Sequence, residues 1–292
     1  MDSENVPATT DDRTPAPTEK PVVLTVAGSD SGGGAGVQAD LKTIEAHDAF
    51  GTSALTAVTA QHTRGVESTH VVPAEEVAAQ ADAVTGDFDV RAAKTGMLAT
   101  DEIVRTVTDR AASADFPVVV DPVMVAASGD RLLDREAEDA YAELVAEATL
   151  VTPNADETAV LTGVAVRDRE SAIAAGERLL ATGADAALVT GGHVRESAGG
   201  RVETVRDVLV TPDGTRTFEH PRVATDATHG SGCTLSAAIA ARLARGDDLE
   251  SAVESGVDFV ERAIRYPLDV GEGPGSVHHA VEARNRAARD ST

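Results

Sequence analysis

The sequence predicts an α/β fold, a mostly parallel sheet with helices on both faces, and three observations carry that prediction. Short, continuous apolar runs recur along the chain, such as Val22–Ala27, Val118–Val120 and Ala186–Val189. Stretches with helical apolar spacing separate them, which is how strands buried on both faces of a parallel sheet are connected. Glycine-rich segments follow the first run and precede a late small-residue helix, where open parallel sheets hold their ligands.

The elements follow in order. Residues 1–20, rich in Pro, Thr, Asp and Glu, have no apolar periodicity and read as a disordered acidic tail. From residue 21 to 292 a single domain is expected, with no second-domain linker and no internal repeat. After strand Val22–Ala27 the spacing predicts a helix over Ala35–Ala46, a strand over Ala54–Ala60 and a helix over Ala74–Val84. Val90–Ala93, Val118–Val120, Thr149–Thr152 and Ala186–Val189 read as further buried strands. Helices are expected at Asp101–Ala112, Arg135–Glu147, Glu157–Leu161, Arg169–Ala181 and Leu235–Leu243. Val202–Val210 and Thr215–Glu219, split by Pro212-Asp213-Gly214, predict a small antiparallel hairpin at the sheet edge.

Composition narrows the function. The 292 residues carry 49 acidic and 25 basic side chains, a net charge of −24, and the acidic residues are spread along the chain. Such a field repels nucleic acid and anionic membranes. No apolar run approaches the roughly 20 residues that span a bilayer, and no secretory signal is visible. A single cysteine excludes a disulfide framework, so a cytoplasmic enzyme is expected. The acidic excess, with Lys20, Lys42 and Lys94 the only lysines, points to a protein solvated for a high-salt cytoplasm, a halophile.

The segment Thr228-His229-Gly230-Ser231-Gly232-Cys233-Thr234 enters the late helix directly. Its glycines let successive N–H groups converge, and the helix dipole adds positive potential, which makes an anion cradle. Cys233 sits inside it, where a helix N-terminus favours a thiolate. An anion hole containing a candidate base suggests phosphoryl transfer. The loop Gly28-Ser29-Asp30-Ser31-Gly32-Gly33-Gly34-Ala35-Gly36 is neither a Walker loop nor G-x-G-x-x-G, but its glycines suit close approach to a ligand. Asp40 suits a substrate hydroxyl or a helix cap. Gln61, after the second strand, offers a donor and an acceptor to a heterocycle edge. Met97 suits core or crevice.

Taken in order, Ala27–Gly36 through Leu41-Lys42-Thr43, Lys94-Thr95-Gly96-Met97-Leu98, Asp121-Pro122-Val123-Met124, Thr152-Pro153-Asn154 with Glu157, and Thr228–Leu235 resemble the hydroxymethylpyrimidine/phosphomethylpyrimidine kinases of thiamine biosynthesis, from about Val22 to Val277-His278-His279. The resemblance implies a three-layer ribokinase-like fold and a homodimer. It implies phosphorylation of 4-amino-5-hydroxymethyl-2-methylpyrimidine, then of its monophosphate, by ATP with Mg2+. By motif, Gln61 pairs with the pyrimidine, and Gly28, Asp40, Met97 and Val123 line its pocket. Gly230, Ser231 and Gly232 form the anion hole, with Cys233 as base. Asn154, Glu157, Thr190, Gly192 and Thr228 meet ATP and its phosphates, and Asp121 and Glu157 hold magnesium through water. The chain departs from the pattern at Thr190, where Lys is common before Gly191-Gly192-His193, at Ser231 in place of Thr, and at Ala227 in place of Asn. Pyridoxal kinase is the alternative enzyme; a non-catalytic pyrimidine-binding regulator is the alternative outside enzymology.

Overall fold

The computed structural model describes residues 18–124, 137–192 and 204–281. The expected tail up to residue 17, the start of the Arg135–Glu147 helix, His193 and Val202 lie outside the described residues. One nine-stranded sheet runs in the order β3-β2-β1-β4-β5-β6-β7-β8-β9. Its parallel centre is β2 (Phe50–His62), β1 (Val22–Asp30), β4 (Val90–Thr95), β5 (Val118–Val120), β6 (Leu150–Val151) and β7 (Ala187–Val189). The antiparallel hairpin β8 (Thr204–Thr211) and β9 (Gly214–Pro221) closes one edge, where the Pro-Asp-Gly turn placed it. At the other edge β3 (Gly65–Val71) pairs antiparallel with β2.

Continuous apolar runs become strands here because both faces are covered. Leu24, Val26, Val118, Val120 and Val151 pack into a core under α2 (Ala74–Asp87), α3 (Asp101–Ala111) and α4 (Ala137–Ala146). The alternate residues Val23, Val119, Leu150 and Leu188 face a second core under α1 (Gly36–Ala46), α7 (Ser231–Ala244) and α8 (Leu249–Arg265). The two-residue period of a strand divides each run between the cores. Two further helices complete the chain order, α5 (Ala155–Thr162) and α6 (Arg169–Thr182), the latter opened by an Asp168–Ser171 capping box.

Two elements were not expected. β3 is polar and mostly exposed, so no apolar alternation announces it. Helix α8 buries Ala252, Val253, Gly256, Val257, Phe259 and Ala263, a helical stripe that the sequence does carry. Gln61 lies inside β2, not after it, because β2 and β3 extend beyond the covered sheet as a two-stranded ribbon.

Candidate active site

The strand ends form a row. Because the central strands are parallel, their carboxyl ends open on one edge of the sheet, and the residues that follow them line one cavity of about 780 Å³. Along this edge stand Gln61 on β2, Gly28 on β1, Met97 after β4, Val123 after β5, Asn154 after β6 and Thr190 after β7. Neighbouring strands lie about 4.8 Å apart, so the row is roughly 24 Å long. That is room for a small ring and a nucleotide end to end.

At the β1 end, the sheet register shifts between Ala27 and Ser29, where β2 carries one extra residue opposite Gly28. A Cβ on Gly28 would overlap the Met97 methyl, so glycine lets that buried side chain floor the pocket. The glycine loop beyond is wrapped around Asp30. Its Oδ1 accepts from Gly32 N at 2.8 Å, and its Oδ2 from Gly34 N at 3.1 Å and Ala35 N at 2.8 Å. His229 Nε2 lies 3.0 Å from the same Oδ2. Burial opposes the charge on Asp30, but His229 and the loop amides outweigh it and hold the carboxyl below its usual range. Several of the loop's amides are therefore spent on its own aspartate.

Gln61 is set by Ser31, whose hydroxyl donates to the Gln61 carbonyl at 2.7 Å and accepts its amide at 2.8 Å. Its side-chain Oε1 lies 3.1 Å from the Thr59 hydroxyl. Val123 and Met97 supply apolar wall beside it.

Asp40 corrects the sequence reading. It is fully buried beneath the pocket and does not line it. Lys94 Nζ lies 3.0 and 3.1 Å from its two oxygens, and the Thr25 hydroxyl donates to it at 2.6 Å. Helix α1 turns this face to β1 and β4, so the aspartate meets the one lysine of β4. Burial raises its pKa against the pull of Lys94 and Thr25. Lys94, itself fully buried, lies 3.9 Å from Asp121, whose Oδ2 accepts from Ser236 at 3.1 Å.

The anion hole stands over the middle of the row, since α7 packs on β4, β5 and β1. Gly230 caps α7 with φ 79°, a left-handed backbone, and a Cβ there would collide with the Gly34 carbonyl. Ser231 N turns back to Thr228 O, and Thr234 N bonds Gly230 O. The first-turn amides of Gly232 and Cys233 are left for a ligand. Thr228, Gly230, Ser231, Gly232 and Cys233 all line the cavity. The cradle is braced from the C-terminal side. Ser276 pairs with His229, and His279 lies 3.0 Å from Thr234 Oγ1 and 3.2 Å from Ser276 Oγ. Burial and the nearby Lys42 charge push His279 down to about 4, so a neutral ring makes these contacts.

The expected thiolate is the second correction. Burial pushes the Cys233 thiol up to about 12, although the Lys94 charge and the Gly36 amide pull it down. The Gly36 amide and the Lys94 charge do not overcome desolvation and the nearby Asp40 and Asp121 carboxylates.

Beyond the hole, Asn154 and Glu157 form a capping box for α5. Asn154 Oδ1 accepts from Asp156 N at 2.9 Å and Glu157 N at 3.0 Å, while Glu157 Oε2 accepts from Asn154 N at 2.9 Å. The box fixes the buried Glu157 carboxyl in the cavity wall beside Asp121. Burial raises both carboxyls, and their mutual repulsion raises Glu157 further. Thr190 bridges to Asn154, and Gly192 lines the next stretch of wall. The walls carry Asp30, Asp121, Asp156, Glu157, Asp207, Asp226 and Glu261. No three of His, Cys, Asp and Glu converge to cage a metal ion among the described residues. Two destabilised carboxyls suit a hydrated Mg2+, which keeps much of its water.

Residues 30–278 match the family model described as phosphomethylpyrimidine kinase. The chain belongs to that family. A hydroxymethylpyrimidine/phosphomethylpyrimidine kinase of Haemophilus influenzae is 44% identical over 265 residues, covering 90% of this kinase and 97% of the relative. Among solved structures, an ADP complex of Bacillus subtilis pyridoxal kinase is similar, with a TM-score of 0.82 at 30% identity over 91% of this chain and all of that one. A phosphomethylpyrimidine kinase from Clostridium difficile gives a TM-score of 0.73 at 35% identity, over 84% of this chain and all of that one. The three-layer, ribokinase-like architecture expected from the sequence is thus the fold of this kinase.

The sequence reading missed several residues that build the kinase site. Lys94 was visible only as part of a motif, yet it supplies the buried cation under Cys233. Asp30 and His229 tie two glycine segments 199 residues apart. Arg222, His220 and Asp207 reach the cavity from the β8–β9 hairpin. No local signal marks them, because only the sheet order brings that hairpin to the strand-end row.

Proposed function

We propose that this kinase transfers the γ-phosphoryl group of ATP to the hydroxymethyl group of 4-amino-5-hydroxymethyl-2-methylpyrimidine, and then to the resulting monophosphate. One observation carries the assignment of ends: the anion hole stands midway along a row with Gly28, Met97 and Val123 lining the cavity at β1–β5 and Asn154, Thr190 and Gly192 lining it after β6 and β7. The pyrimidine lies between Gly28, Met97 and Val123, with its amino edge on Gln61. ATP lies across Asn154, Thr190 and Gly192, its γ-phosphate reaching Thr228 and the hole.

The amides of Gly232 and Cys233 meet charge as it develops on the transferring oxygens. Phosphoryl transfer passes through a loose transition state, so the hydroxymethyl proton can leave late. Cys233 is its acceptor, and the buried Lys94 charge offsets part of the cost of forming the thiolate there. Magnesium, held through water by Asp121 and Glu157, neutralises phosphate charge when bound.

The remaining readings are proposals of the same kind. The exposed Val58 and Val71 of the β2–β3 ribbon support a homodimer. The acidic excess supports a halophilic, cytoplasmic protein; no described helix is long and apolar enough to cross a membrane.

A coupled assay for ADP formation tests the substrate, first with the hydroxymethylpyrimidine and then with pyridoxal. Faster turnover of the pyrimidine, with two phosphates transferred per ring, is expected. Preference for pyridoxal, or one phosphate only, overturns this reading; no ADP with either makes the chain a binding protein.

A further inference from the structure

The cavity is lopsided in charge. Seven carboxylates line it, and among the described residues Arg222 is the one Lys or Arg side chain that does. A nucleoside triphosphate adds several negative charges to this already negative wall. Thr190, in the turn after β7, is neutral.

Arg222 follows β9, and its place is fixed. Its Nη1 donates to the Gly192 carbonyl at 2.9 Å. The turn it touches is held from the β8 side too. Gly191 N donates to Asp207 Oδ1 at 2.8 Å, and Asp207 Oδ2 lies 3.4 Å from His220 Nε2. A Cβ on Gly191 would collide with the Arg206 carbonyl, so the turn is pressed onto the hairpin. The antiparallel edge is thus a platform that carries a permanent cation to the phosphate end of the row.

We propose that Arg222 binds the phosphate chain of the nucleotide donor, the hairpin supplying the positive charge that the turn after β7 lacks. This rests on the reading that the β6–β9 end takes ATP. A guanidinium stays charged at any working pH and presents its donors as a planar fork that matches phosphate oxygens. The competing role is purely local, holding the Gly192 carbonyl together with the other contacts of Arg222.

The test titrates the full chain with ATP and with adenosine by calorimetry. Arg222→Gln removes the charge and keeps a polar side chain. The ATP dissociation constant is expected to rise about tenfold or more, as for loss of a charge-assisted contact. Adenosine and pyrimidine affinities should stay within about twofold, and Arg222→Lys should recover part of the ATP loss. Equal losses for adenosine and ATP, or no loss for either, overturn the proposal. Gly192→Tyr separates the two levels of the argument, because Gly192 lines the cavity and a Cβ there meets nothing within 4 Å. If Gly192→Tyr blocks ATP while Arg222→Gln does not weaken it, Arg222 alone is excluded. If Gly192→Tyr leaves ATP binding intact, the nucleotide lies elsewhere and the proposal falls with the site reading.

Discussion

Ser31 and Gln61 hold each other by two hydrogen bonds, the Ser31 hydroxyl donating to the Gln61 carbonyl and accepting its amide. The pair sits where the β2–β3 register shifts between Ala60 and Gln61. The extra residue of the bulge, Glu67, is on β3, and Ser31 pins the Gln61 backbone from the glycine loop. Ser31→Ala should therefore raise KM for the pyrimidine several-fold, about 1 kcal/mol, with KM for ATP unchanged. Gln61→Leu should cost more, on the order of 1–3 kcal/mol, because a heterocycle edge is left unpaired. Equal damage to both substrates in steady-state kinetics would remove Gln61 from the pyrimidine site.

The raised Cys233 thiol gives a pH prediction with a definite sign. A base must be deprotonated to act, and burial places its ionisation far above neutrality. Turnover at saturating substrates should climb as pH rises from 7 toward 10, and iodoacetamide labelling of Cys233 should climb with it. Cys233→Ser should lower turnover by roughly 10²-fold and abolish the alkaline rise. A serine variant with normal turnover would leave positioning by the anion hole as the whole mechanism.

Asp40 and Lys94 are expected to govern stability, not affinity. Lys94→Met leaves a buried carboxyl without its cation, and such losses run to about 3–5 kcal/mol. For a domain of this size that lowers Tm by on the order of 10 °C. Lys94→Met combined with Asp40→Leu should regain much of the loss, because the pair is removed together. Thermal melts of the single and double variants decide it; a destabilised double variant no better than the single would mean the pair is not the source.

Gly232 faces open cavity, its nearest neighbour for a Cβ being Asp121 Oδ2 at 3.9 Å. Gly232→Asp therefore packs without a clash yet places a second negative charge in the hole. Turnover at saturating ATP should fall by at least 10²-fold while Tm stays near that of the parent. Activity within a few-fold of the parent would sink the anion-hole assignment.

A net charge of −24 should make the fold salt-dependent. Self-repulsion weakens as the Debye length shrinks from about 10 Å at 0.1 M to about 3 Å at 1 M. Tm is expected to rise between tenths of molar and molar KCl. A flat or falling curve would count against the halophilic reading.

The parallel centre of the sheet was legible because a run such as Val118-Val119-Val120 can only be buried on both faces. Asn154 and Glu157 were legible as a spacing, and the structure gives that spacing its physical form, a capping box that aims a carboxyl. Asp40 was misplaced for an equally physical reason. Nothing in Gln38-Ala39-Asp40-Leu41 tells a pocket aspartate from one that meets a lysine 54 residues away. The carboxylates that raise the Cys233 thiol are likewise distant in sequence, so its dipole environment was readable and its desolvation was not. The α8 stripe was readable and went unread, whereas Gly65–Val71 offers no apolar pattern to read.

The bracing of the anion hole by Ser276 and His279 has a temporal consequence. Its glycine partner Gly34 belongs to the first strand-loop unit, while Ser276 and His279 are among the last described residues. A chain growing on the ribosome at about 5–20 residues per second has synthesised the strands of the row long before the segment that braces the loop receiving the phosphoryl group. Because α7 and α8 cover one face of that sheet, the early strands wait for the late helices, and catalysis begins only after the C-terminal segment has emerged and docked.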